Sequence, residues 1–174
     1  MQEVWNRRPE AGNQGFQYNM IEYKFMRLPK DLYLGLRASV GWKHLSDRQV
    51  DAAIHGCKAM ITAWDTETDQ VVGMGRLVGD ELVIMNIQDL IVRPEYHGHG
   101  IGSELIRHLK EKAAEALEPG EELMFTLMCA KGRERFYEKN GFIARPTPDL
   151  GPGMITYLHE EDGPVSPKEK SQDE

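Results

Sequence analysis

Cysteine is nearly missing from this 174-residue chain. Cys57 and Cys129 lie far apart and have no metal-ligand spacing. They provide no disulfide framework and point to a reducing compartment. No long apolar run and no signal-type leader occurs, so neither a spanning helix nor a membrane partner is expected, and the cytoplasm is the expected location. Positive charge is also scarce, with 21 Lys and Arg against 28 Asp and Glu and a net charge of −7. No basic stripe is available to neutralise nucleic-acid phosphates, which excludes nucleic acid as an expected partner. An acidic surface is compatible with a cationic amine as substrate. There is no internal repeat. What the chain does have is an apolar fraction of 40%, enough to build the core of one ordinary domain.

Residues 1–17 are polar, broken by Gly and Pro, and read as an irregular extension. Residues 159–174 read as a polar, flexible tail. Between them, 18–158 reads as a single domain. Its first strand spans 18–27. A helix over 30–40 follows, with Leu32, Leu36 and Val40 at helical spacing. Ser46 and Gln49 form a capping-box pattern opening a second helix that ends at Gly56. Strands over 59–64 and 71–78 pair as a hairpin through the turn at 65–69. A long strand over 82–92 leads to a helix over 102–116, whose buried face includes Leu105, Leu109 and Ala113. A strand over 123–128, a short helix over 133–139, and strands over 142–145 and 154–158 complete the order. The expected fold class is α/β (α+β), a mixed, largely antiparallel seven-stranded sheet flanked by about four helices.

The most informative segment runs from the strand at 87–92 through Pro94 into His97-Gly98-His99-Gly100-Ile101-Gly102-Ser103 and the next helix. Glycine at every second position permits close backbone approach to a ligand. The helix start adds unpaired N–H groups and the positive end of its dipole. Together they form a site for a phosphate-type anion, such as the pyrophosphate of a nucleotide cofactor. No Lys follows the glycines, so the loop is not a Walker loop, and the spacing is not the G-x-G-x-x-G of dinucleotide folds. A plainer reading gives the glycines to tight packing at a helix start. His97 and His99 have no third ligand nearby, so no metal is expected.

This segment resembles the GNAT superfamily of acetyl-coenzyme A-dependent N-acetyltransferases, whose motif is [QR]-x-x-G-x-[GA]. It departs at the first position, where His97 stands for Gln or Arg. The order of elements is also similar over 18–158. A second motif, Phe136-Tyr137-Glu138-Lys139-Asn140-Gly141-Phe142, matches the family's F-Y-x-K-x-G-F at every fixed position and follows the glycine loop by one strand and a short helix. The resemblance implies a sheet splayed between its fourth and fifth strands, with acetyl-CoA lying in the gap. Leu90, Ile91 and Val92 would present backbone groups to the pantetheine arm. The loop from His97 to Ser103 would hold the pyrophosphate, and Phe136 would lie at the cofactor's edge. Arg133 would either contact a cofactor phosphate or cap its helix. Tyr137 would act as general acid toward the departing thiolate, unless its ring only packs the short helix.

Gln88 and Asp89 interrupt the apolar strand, and adjacent strand residues point to opposite faces, so at most one should face a given cleft. A carboxylate there is costly unless paired. Asp89 is therefore either a contact and proton acceptor for the substrate ammonium or a structural hydrogen-bonding group; the resemblance favours the first. Tyr33, Arg37, Trp42, Gln88 and Met154 are candidates for the acceptor pocket, with Arg37 facing an acid group. Cys129 reads as a packed small hydrophobe. The expected activity is acetyl transfer to a primary amine of a small molecule by direct attack in a ternary complex, without a metal and with a homodimer as an expected assembly. The alternatives are a protein-lysine acetyltransferase and a non-catalytic acyl-CoA-binding protein.

Overall fold

A computed structural model describes residues 20–158. The expectations for 1–17 and 159–174 lie outside the described residues. The elements run β1 (Ile21–Phe25), α1 (Lys30–Ser39), α2 (Asp47–Gly56), β2 (Ala59–Asp65), β3 (Gln70–Gly79), β4 (Ile84–Val92), a 3₁₀ turn (Pro94–Tyr96), α3 (Ile101–Ala114), β5 (Met124–Leu127) and α4 (Glu134–Lys139). The strands form one sheet in the order β1-β2-β3-β4-β5. The first three pairings are antiparallel, and β5 joins β4 in parallel.

The capping box at the start of α2 is formed: the Ser46 hydroxyl accepts from the Gln49 N–H, and the Gln49 side chain accepts from the Ser46 N–H. Alternation along the strands sorts side chains into two cores, one on each face of the sheet. Ile61, Ala63, Val72 and Leu77 meet the buried stripe of α3, which includes Ile101, Leu105 and Leu109. Met60, Val71 and Met74 meet Tyr33 and Leu36 of α1 and Val50 and Ile54 of α2.

Helix α3 lies close to the sheet because β3 carries glycine beneath it. A Cβ at Gly73 would sit 3.0 Å from the Ile91 carbonyl oxygen and 3.2 Å from Leu105 Cδ1. The carbonyl belongs to the paired strand and cannot rotate away. Gly73→Ala is expected to lower unfolding stability by about 1–3 kcal/mol, the usual cost of overpacking. Denaturant unfolding checks this, and an unchanged midpoint would show that α3 has room to move.

The sheet has five strands among the described residues, not seven. Phe142 does not begin a strand. Its N–H donates to the Tyr137 carbonyl at 3.1 Å, and its ring packs on Phe125 and Tyr137. The chain then turns between Thr147 and Leu150. Residues 154–158 have the apolar composition of a strand, but they remain exposed and pair with nothing in the sheet. A short apolar run becomes a strand only where an edge is aligned to receive it.

Candidate active site

Strand β4 does not stay beside β5. Their pairing runs from Ile84–Met124 to Ile87–Leu127 and stops, while β4 continues to Val92. Beyond Ile87 the edge of β4 that faced β5 has no strand partner among the described residues. The chain leaving β4 forms the glycine loop and α3; the chain leaving β5 forms α4. The two helices meet at Gly102, where a Cβ would stand 3.0 Å from Phe136 Cζ. Asn140 of the α4 C-cap donates to the Ser103 hydroxyl at 3.2 Å, and Lys110 of α3 donates to the Asn140 carbonyl at 2.5 Å. The loop and the short helix therefore form one wall at the mouth of the gap.

Gly98 and Gly100 adopt φ of +84° and +79°, the left-handed region that favours glycine. A Cβ at either would meet nothing within 4 Å, so their backbone faces open space. The N–H groups of Gly98, Gly100, Ile101 and Gly102 find no backbone acceptor among the described residues. His97 turns its ring back to the strand end: Nε2–H donates to the Val92 carbonyl at 2.8 Å. The histidine thus braces the loop against β4. Arg133 is exposed at the N-cap of α4 and makes no side-chain cap, leaving its guanidinium available to solvent.

Tyr137 is half-buried, its ring edge-on to Phe136 at 5.0 Å and Phe142 at 5.9 Å. No hydrogen bond occupies its hydroxyl among the described residues. Burial, with a smaller contribution from Cys129, raises the phenol above its ordinary value of 10.0, while Arg133 opposes the shift. The hydroxyl therefore keeps its proton at neutral pH. Cys129 is exposed rather than packed as the sequence suggests, and slight desolvation with the carboxylate of Glu134 raises its thiol, which disfavours the thiolate.

Asp89 lies at a break in the sheet. The β3–β4 register shifts between Met74–Ile91 and Arg76–Gln88, and Asp89 takes φ +48°. This bulge reverses the alternation of β4. Before it Met85 and Ile87 face α3; after it Leu90 and Val92 do. Gln88 and Asp89 consequently share the α1 side, against the simple alternation expected from sequence. Gln88 donates to Asn86, which donates to Thr126 of β5. The Asp89 carboxylate accepts from the Tyr33 hydroxyl at 2.5 Å, Arg37 Nη1 at 2.7 Å and Arg76 Nε at 2.8 Å. Its side chain is 8% exposed, and those of Arg76 and Arg37 are 10% and 13%.

Tyr33 is fully buried, and that burial together with its bond to Asp89 pushes its phenol up to about 12. Trp42 lies against Arg37, the guanidinium carbon 5.1 Å from the ring centroid. Met154 is 92% exposed and is not gathered with the others. Among the described residues no group of three or more His, Cys, Asp or Glu is placed to hold a metal ion.

A family model for an acetyltransferase (GNAT) domain matches residues 57–144, half of the chain. The chain belongs to the GNAT superfamily. A GNAT-family acetyltransferase of Streptococcus pneumoniae is 32% identical; the match covers 81% of this chain and 100% of that one, with a TM-score of 0.66. An N-acetyltransferase of Prochlorococcus marinus, named as uncharacterized and ycf52-like, is 30% identical over 117 residues, 64% of this chain and 61% of its own. A second ycf52 relative, from Pyropia yezoensis, is covered over 66% of its length, so this chain spans about two thirds or less of either curated relative. Glucosamine-6-phosphate N-acetyltransferase of Arabidopsis thaliana is 14% identical with a TM-score of 0.58, over 79% of this chain and 99% of that one, a likeness of fold.

GNAT proteins use acetyl-CoA as co-substrate. Within this GNAT domain, Arg76 was missed by the sequence reading. Its signal was available: one guanidinium in an otherwise apolar strand, the same argument that singled out Asp89. Arg76 also donates to the Ala53 carbonyl at 2.8 Å, tying α2 to the bulge. Among the described residues no helix is long and apolar enough to cross a membrane.

Proposed function

We propose that the protein is an acetyl-CoA-dependent N-acetyltransferase acting on a primary amine of a small molecule by direct attack. The observation that carries this reading is the gap between β4 and β5, walled at its mouth by the glycine loop and α4. The loop fits a pyrophosphate: four N–H groups without backbone acceptors, two left-handed glycines with open space above them, and the positive end of α3. Ser103 supports that loop from behind through Asn140.

Acetyl-CoA supplies an activated thioester carbonyl in the gap. The remaining work falls to the chain. The unpaired edge of β4 from Leu90 to Val92 holds the pantetheine arm by backbone hydrogen bonds, and an N–H near Leu90 stabilises charge developing on the carbonyl oxygen. Tyr137 gives its proton to the departing sulfur as the C–S bond breaks and the C–N bond forms. The amine nitrogen releases its proton to water. Asp89 serves as the anchor of the bulge, because three donors already occupy its two oxygens. Holding the reactants together supplies much of the rate.

A thiol-release assay with acetyl-CoA tests the reading against polyamines, aminosugars, amino acids, arylalkylamines and a lysine peptide. Amine-dependent thiol release on one small-molecule class is expected. Turnover confined to the lysine peptide would move the activity to proteins, and tight acetyl-CoA binding without turnover on any amine would make the protein a non-catalytic acyl-CoA binder.

A further inference from the structure

Gly35 has no packing reason to be glycine. It lies in the middle of α1 without a left-handed backbone, and a Cβ there would meet nothing within 4 Å. Gly73, Gly75 and Gly102 differ, since each would place a Cβ against a neighbour. Glycine inside a helix costs stability relative to alanine, and at position 35 no contact offsets that cost.

The space left open belongs to a pocket of about 290 Å³ between α1 and the following turn. Leu34, Gly35 and Ala38 form an apolar floor. Trp42, 39% exposed, forms one wall, held by the Arg37 guanidinium that Asp89 fixes in turn. The charged and titratable side chains lining the pocket are Arg37, Lys43 and His44, with no carboxylate among them, in a chain of net charge −7. Arg37 is already paired with Asp89, so the pocket's attraction for an anionic group rests on the Lys43 ammonium, with His44 beside it as a hydrogen-bonding group. Arg37 spans from this pocket to the β4 bulge, so the pocket is one side chain away from the strand that borders the gap.

We propose that this pocket recognises the acceptor, and that the acceptor is a primary amine bearing an acid group on an aromatic or other planar body. The body stacks on Trp42 over the floor opened by Gly35. The acid group meets Lys43 and His44. This rests on the acetyltransferase reading and specifies its substrate class.

The test uses two matched pairs of amines, L-phenylalanine with phenethylamine and O-phosphotyramine with tyramine, which separate carboxylate from phosphate. One acid-bearing member is expected to show a KM roughly tenfold below that of its acid-free partner. Lys43→Gln should erase the preference. Gly35→Ala and Gly35→Leu should raise the acceptor KM in steps, reaching roughly tenfold for leucine. Gly35→Ala should also raise Tm by about 2–4 °C, with acetyl-CoA affinity unchanged. A glycine kept for structure alone predicts the reverse: lower Tm and an unaltered acceptor KM. Acid-free amines used as well as acidic ones, an acceptor KM indifferent to Gly35, or no use of either pair would overturn the proposal. Failure of the wild-type protein to bind acetyl-CoA in calorimetry would instead overturn the acetyltransferase reading, so the two failures are distinguishable.

Discussion

Tyr137→Phe is expected to lower kcat by about two orders of magnitude while leaving the KM for acetyl-CoA nearly unchanged. The substitution removes one hydroxyl that no intrachain hydrogen bond uses and keeps the ring that packs edge-on to Phe136 and Phe142. Folding should therefore be preserved, and the loss should fall on the chemical step alone. The pH profile supplies a second readout. Burial raises the Tyr137 phenol above 10.0. Wild-type kcat should accordingly hold on the alkaline side until above about pH 10, then fall as the proton donor ionises. In the phenylalanine variant this fall should be absent. Equal kcat values for the two proteins would assign Tyr137 to packing.

The second large effect concerns stability. Asp89→Ala leaves the buried guanidiniums of Arg37 and Arg76 without their counter-charge and strands the Tyr33 hydroxyl. Removing one partner of a buried ion pair costs about 3–5 kcal/mol, and side chains this enclosed receive little relief from solvent. Adding Arg76→Met to Asp89→Ala should recover part of the loss, because the orphaned charge disappears with its partner. Urea unfolding of the two single variants and the double variant gives the coupling directly. An Asp89→Asn protein that unfolds like the wild type yet loses kcat would return Asp89 to the role of base.

These two residues also show where sequence reading succeeds and where it runs out. The glycine loop and the Phe136–Tyr137 pair are local patterns. Each owes its shape to neighbours in the chain, and Gly102 against Phe136 is the contact that joins them. The helix caps, the β2–β3 hairpin and the α3 stripe are legible for the same reason.

The Asp89 cluster is different. Its partners come from α1 and β3, 56, 52 and 13 residues away. Its orientation depends on a bulge with φ +48° at a non-glycine residue, which strict alternation does not anticipate. Asp89 is therefore recognisable in the sequence as a costly charge, while its pairing with Arg37 and Tyr33 is not. Residues 142–145 and 154–158 erred in the opposite direction. Their composition suits a strand, but strand formation is a property of the pair, and no partner edge is aligned with them. Met154, placed with Tyr33 and Trp42 on the acceptor wall by its sequence, stands in that unpaired segment with 92% of its surface exposed.

The most direct measurement is mass spectrometry of an amine acceptor after incubation with acetyl-CoA and the protein, with released thiol counted in the same samples. The account predicts an acetyl group on the amine nitrogen, one thiol released per acetylated amine, and the same stoichiometry in Cys129→Ser. Thiol release independent of amine, or an acetyl group held on the protein and lost with Cys129, would contradict direct transfer.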